Sequence, residues 1–122
     1  MKNELLPQSK NTKISGLNYQ IALEEVPAEE TIAGDPRQGT AELGKIAGAE
    51  VGIWELRDGT VIDTEIDEVF VVIAGGAKIE FLDDQGDPYE VVNVTSGDVM
   101  RLAAGAQTRW SVSDFIRKVY IA

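Results

Sequence analysis

Between Glu68 and Ala74 the chain reads EVFVVIA, and both faces of that strand are apolar. Successive residues of an extended strand point to opposite sides. Glu68, Phe70, Val72 and Ala74 therefore share one face, and Val69, Val71 and Ile73 share the other. A strand with one side in water alternates apolar with polar residues. This one does not, so both of its sides must be covered. That requirement demands a sheet folded over a core on one face, with further covering on the other.

Turn residues divide the rest of the sequence into short extended segments. Val51 to Arg57 reads as a strand that ends at the hairpin signal Asp58-Gly59, with a short acidic strand from Thr60 to Ile66. Gly75-Gly76 closes the strand Glu68–Ala74, and Ala77 to Leu82 follows. Asp83 to Pro88 is the clearest turn; Tyr89 to Val94, Asp98 to Leu102, Gln107 to Val112 and Phe115 to Ile121 complete the set. Strands at a spacing of about 8–12 residues predict an all-β sandwich or barrel. Upstream, Leu17, Tyr19, Ile21 and Leu23 alternate as a strand would, and Pro27 to Gly39 reads as a loop with one helical turn at Ala28–Ile32. Residues 1–15 are polar and read as an N-terminal arm, leaving residues 16–122 as a single domain.

Charge and missing residue types narrow the function. Acidic residues number 21 against 11 basic ones, a net charge of -10. Such a surface repels phosphate backbones and anionic membranes, so neither nucleic acid nor a membrane is an expected partner. The sequence has no cysteine, which removes disulfides and thiolate chemistry and fits a cytoplasmic protein. It also has no histidine, so no imidazole can bind a metal or activate a nucleophile. Acid–base work would fall to Asp, Glu, Lys or Tyr.

An ordered series of residues resembles the cupin superfamily. It comprises Val51-Gly52-Ile53-Trp54-Glu55, Gly59, Asp67-Glu68, Gly75, Gly86, Ser96-Gly97-Asp98, Ala104-Gly105, Arg109-Trp110 and Arg117-Lys118-Val119-Tyr120. More narrowly, the chain is similar to small single-domain cupins grouped with ureidoglycine aminohydrolase and the cupin protein of ethanolamine utilisation. The resemblance covers about residues 48–121 and implies a cupin double-stranded β-helix, a jelly-roll barrel with a cavity at one mouth. In metal-binding cupins two histidines precede the glutamate of the first motif and one lies in the second. Those positions fall on Ile62, Thr64 and Thr108, and only Glu68 keeps its residue type. One carboxylate does not make a transition-metal site, so no metal and no cofactor is expected.

The expected site therefore centres on Glu68, as an acid–base group or as the ion-pair partner of Lys118, Arg101 or Arg109. Thr64 and Thr108 offer hydroxyls to a ligand or simply pack. Trp54 and Trp110 are stacking walls or core. Lys118 and Tyr120 share a strand face with Ile116 and would join Glu68 if that face points inward. Asp63, Glu65 and Asp67 fall on the opposite parity to Glu68 and are expected on a solvated face. Three functions stay open: a metal-poor cupin holding a small polar metabolite, a metal-dependent aminohydrolase-type enzyme, and a non-catalytic structural or interaction module. The second apolar face of Val69, Val71 and Ile73 predicts a homodimer, because little else is available to cover it.

Overall fold

The structure, a computed structural model, describes residues 4–122. Its elements are β1 (Glu24–Glu25), a 3-10 turn (Ala28–Glu30), β2 (Thr31–Ile46), β3 (Ala49–Thr64), β4 (Glu68–Leu82), β5 (Pro88–Thr95), β6 (Val99–Leu102) and β7 (Gln107–Ile121). The pairings are antiparallel and follow the order β1-β2-β3-β7-β4-β5, with β6 also on β4. The fold is thus all-β, as expected, but its hydrogen-bond ladder does not close into a barrel. β1 and β5 end the path, and the short β6 pairs with only the first part of β4.

The strands run longer than the turn signals suggest. Asp58-Gly59 makes no hairpin. Asp58 takes φ 63 and β3 continues, its register against β7 shifting between Arg57 and Gly59. Such a shift is a β-bulge, which bends a strand without ending it. Gly75, at φ 70, does the same in β4, so Glu68–Ala74 and Ala77–Leu82 are two halves of one strand. Segments 107–112 and 115–121 likewise merge into β7. The loop read over Pro27–Gly39 holds only as far as its helical turn, because β2 starts at Thr31 and absorbs Gly34 and Pro36 at another register shift.

These bends curl the sheet around one core. Leu56, Phe70, Val72, Ile79, Leu102 and Ile116 are each under 2% exposed within it. Burying a side chain of this size contributes about 1.5–3 kcal/mol, and six of them lie where the curl brings both halves of the long strands together.

A second packing layer lies on the outside. The alternation from Leu17 to Leu23 makes no strand, and only Glu24–Glu25 pairs, against Gln38 and Arg37 of β2. The remainder crosses the outer face as a strap. Leu6 N–H donates to the Leu43 carbonyl, Arg37 to the Leu23 carbonyl and Arg117 to the Tyr19 carbonyl. At Gly39 a Cβ would meet the Ala22 carbonyl oxygen at 2.3 Å, so this close approach needs glycine. Leu43 and Ile53, outside the main core cluster, are only 4% and 0% exposed. Of the alternating residues, Tyr19, Ile21 and Leu23 are half-buried while Leu17 is 58% exposed; alternation could not report whether the segment had a ladder partner. The strap also reaches β4, where Gly16 lies against Ile73 and Val119. Val71, Val99 and Ile121 remain 36%, 65% and 47% exposed. Among the described residues no helix is long and apolar enough to cross a membrane.

Candidate functional site

Strand β7 runs between β3 and β4, which places Lys118 opposite Trp54 on one side and Val72 on the other. Its parity sends Ile116, Lys118 and Tyr120 to the inside of the curl. There the Lys118 Nζ donates to Glu68 Oε2 at 2.5 Å, with both residues buried. The same ammonium lies 4.5 Å from the Phe70 ring centre, 4.7 Å from Trp54 and 4.8 Å from Trp110. Ring faces carry negative quadrupole charge and attract cations. Glu68 and three rings together replace the water that a buried ammonium loses. Trp54 and Trp110 meet edge to face, with ring centres 5.3 Å apart.

Above this floor opens a cavity of about 330 Å³. Trp54, Thr64, Glu68, Trp110, Lys118 and Tyr120 all line it. Thr108 does not. It is 0% exposed and donates to Glu65 Oε2 at 2.6 Å, from behind the wall. Thr64 sits at the rim and donates to Gln107 Oε1. Tyr120 lies flat across β3, which is possible because residue 52 is glycine: a Cβ there would come within 2.6 Å of the phenol oxygen and two ring carbons. Its hydroxyl donates to Glu50 Oε1 at 3.3 Å. Burial, then the negative charge of Glu50, pushes the phenol up to about 12, so Tyr120 keeps its proton at neutral pH.

Glu65 overturns the parity expectation. β3 ends at Thr64, and a corner over residues 65–67 breaks the alternation before β4 begins. Glu65 therefore turns inward, 6% exposed, and its Oε2 also accepts Trp110 Nε1–H at 2.9 Å. Asp67 stays outside and pairs with Arg101. Asp63 is exposed as a residue, yet its carboxyl meets the acidic mouth of the cavity. Desolvation there, then Glu65, pushes it up to about 6. Glu30 and Glu50 complete an acidic rim that the sequence reading did not assemble. They come from the 3-10 turn and the start of β3, and no local spacing connects them.

The resemblance to metal-binding cupins can be tested on these groups. Ile62 offers hydrocarbon, Thr64 and Thr108 are turned to Gln107 and Glu65, and Glu68 is held by an ammonium. Among the described residues no three His, Cys, Asp or Glu side chains form a group that could hold a metal ion. The donor set does not fit a transition metal. Where such a cation would meet this glutamate, the chain supplies its own Lys118.

The model of the EutQ-like cupin domain matches residues 43–120. The chain is similar in structure to the Clostridium difficile EutQ protein, with TM-score 0.62, 21% identity and coverage of 91% of this chain and 90% of that one. A cupin superfamily protein from Desulfitobacterium hafniense gives TM-score 0.63 at 13% identity, covering 100% and 97%. A protein of unknown function of the DUF861 family from Pseudomonas syringae pv. tomato gives 0.68 at 19% identity, covering 90% of this chain and 46% of that one. At such identities these likenesses establish the fold. No curated protein matches the chain. The kinship with ethanolamine-utilisation cupins is thereby supported, and the narrower tie to ureidoglycine aminohydrolase is not confirmed.

Proposed function

This chain belongs to the EutQ-like cupin domain family, and from that premise we propose a cytoplasmic, metal-independent protein whose cavity binds a small polar metabolite. The observation that carries the reading is the cavity itself: about 330 Å³, walled by two tryptophans and lined by ionisable side chains. Ligand sites are typically concave, largely apolar pockets of about 300–1,000 Å³ with a few placed polar groups. A metal-dependent aminohydrolase lacks its donors here. A purely structural module would be expected to fill its interior instead of leaving it open.

One observation favours acid–base catalysis by Glu68 as a second reading. Its carboxylate lines the cavity while bonded to the ammonium of Lys118. A proton can pass between that pair and a ligand group within hydrogen-bond reach.

The test is a panel of small polar metabolites titrated against protein purified without added metal, read by calorimetry, with elemental analysis of the same sample. The expected result is a saturable ligand and less than stoichiometric transition metal. About one equivalent of bound manganese, iron, nickel or zinc, or silence across the panel, would overturn the proposal.

A further inference from the structure

We infer that the cavity selects a small organic cation, an ammonium or amidinium head on a compact body, over anions and neutral polar molecules. The inference rests on the cavity reading above and names the class of ligand for that same site.

Charge balance around the cavity carries the argument. The lining holds five carboxylates, Glu30, Glu50, Asp63, Glu65 and Glu68, against one ammonium. Lys118 neutralises Glu68 at 2.5 Å. Among the described residues none of the other four carboxylates has an ion-pair partner. Glu50 accepts from a phenol, and Glu65 accepts from a threonine hydroxyl and an indole. These neutral donors hold the carboxylates in place without cancelling their charge.

Glu65 is the independent sign. It is more than nine-tenths buried, both of its hydrogen bonds fall on Oε2, and Oε1 receives none among the described residues. A buried carboxylate without a cation is costly, and this one faces an open cavity into which a cation can come. Asp63 reports the same field. Desolvation is the main reason its carboxyl is pushed up to about 6; Glu65 from the corner after β3 and Glu30 from the 3-10 turn add to it, and the Thr64 backbone N–H and Lys118 from β7 oppose it.

An anion fares badly in this site. The only ammonium in the lining is 5% exposed, with Glu68 and three aromatic rings around it. A carboxylate would have to displace Glu68 and pass four like charges. A cation meets those four charges first and rests its apolar body on Trp54 and Trp110. The floor already holds one ammonium by this chemistry, and the rim repeats the carboxylates without the counter-ion.

Trp54 and Trp110 are the only two tryptophans in the chain, so their emission reports on the cavity. The full chain is titrated at constant ionic strength with three probes of similar shape: tetramethylammonium, tert-butanol and pivalate. The cation is expected to half-saturate at a concentration about tenfold lower than either other probe. Glu65→Gln is expected to abolish that preference. Glu30→Gln, at a half-buried position of a short turn that holds no buried residue, is expected to reduce it by about threefold. Equal or tighter binding of pivalate or tert-butanol overturns the inference, as does a preference untouched in both variants. If no probe binds, the cation inference fails; the metabolite panel then decides separately whether the cavity reading fails with it.

Discussion

Arg117 and Lys118 are neighbours on β7, yet one enters the strapped outer face and the other the cavity. Each meets a buried glutamate. On the inner face Lys118 has a single acidic partner, Glu68, and three aromatic rings. On the outer face Arg117 donates to Glu55 Oε1 at 3.3 Å and to the Tyr19 carbonyl of the strap. Glu55 also accepts Arg57 Nε–H at 2.7 Å, and Arg57 in turn lies over the Phe115 ring. A compact ammonium suits a box of rings with one counter-ion. A planar guanidinium can bridge several acceptors at once. The inner pair is therefore isolated and undiluted, while the outer one is a network with a semi-exposed member that ties two layers together. Burial alone does not set the value of an ion pair; the number of alternative partners does.

Removing one carboxylate from each side separates the two faces most strongly. Glu68→Gln strands Lys118 in its ring box, and the expected loss is about 3–5 kcal/mol in a denaturant melt. Unchanged stability would mean that Lys118 reaches water or one of the rim carboxylates instead.

Glu55→Gln should lose less, about 1–3 kcal/mol, because Arg117 keeps the Tyr19 carbonyl and Arg57 reaches solvent. Its distinctive effect is local. The strap over residues 7–23 should become cleavable by protease under conditions where the sheet stays intact. Equal losses in the two variants, with no early cleavage, would erase the distinction between the faces.

Asp63→Asn probes the acidic rim and gives a pH signature. Its carboxyl is raised from 3.8 to about 6, so the folded chain holds a proton that the unfolded chain has released. Stability falls with rising pH wherever the folded state binds more protons. Asp63 thus destabilises above its folded value and has no effect below 3.8. The variant should gain stability at pH 7 and nothing at pH 3. Solvent screening at this exposed position limits the gain to below about 1 kcal/mol. An equal gain at both pH values would show that charge is not its source.

The smallest expected change in chain stability belongs to Val99→Lys. Val99 pairs with Val71 on the outer face, beside Val69 and Ile121, where the strap leaves apolar surface open. We propose that a second copy of the chain covers it. Light scattering should report twice 13.2 kDa for the natural sequence and 13.2 kDa for the variant. The variant's own fold should shift by no more than about 0.5 kcal/mol. A natural chain that already scatters as 13.2 kDa would refute the dimer and leave that apolar surface in water.

Strand parity was readable from the residues alone. Alternation is a property of the local backbone, so the shared face of Lys118 and Tyr120, the opposite apolar faces of Phe70 and Val69, and the all-β class follow from neighbours in sequence; the outer of those faces is only partly covered, with Val69 half-buried and Val71 exposed. The absence of histidine likewise fixed what chemistry Glu68 could join. Whether Asp58-Gly59 and Gly75 end a strand or bend it was not readable, because that depends on a partner strand being present to continue the ladder. The inward turn of Glu65 depended on where β3 stops. The acidic rim depended on curling that brings Glu30, Glu50, Asp63 and Glu65 to one mouth. Local periodicity sets which way a side chain points. Only the curled sheet sets what it points at, since charges distant in sequence interact through the space that folding creates.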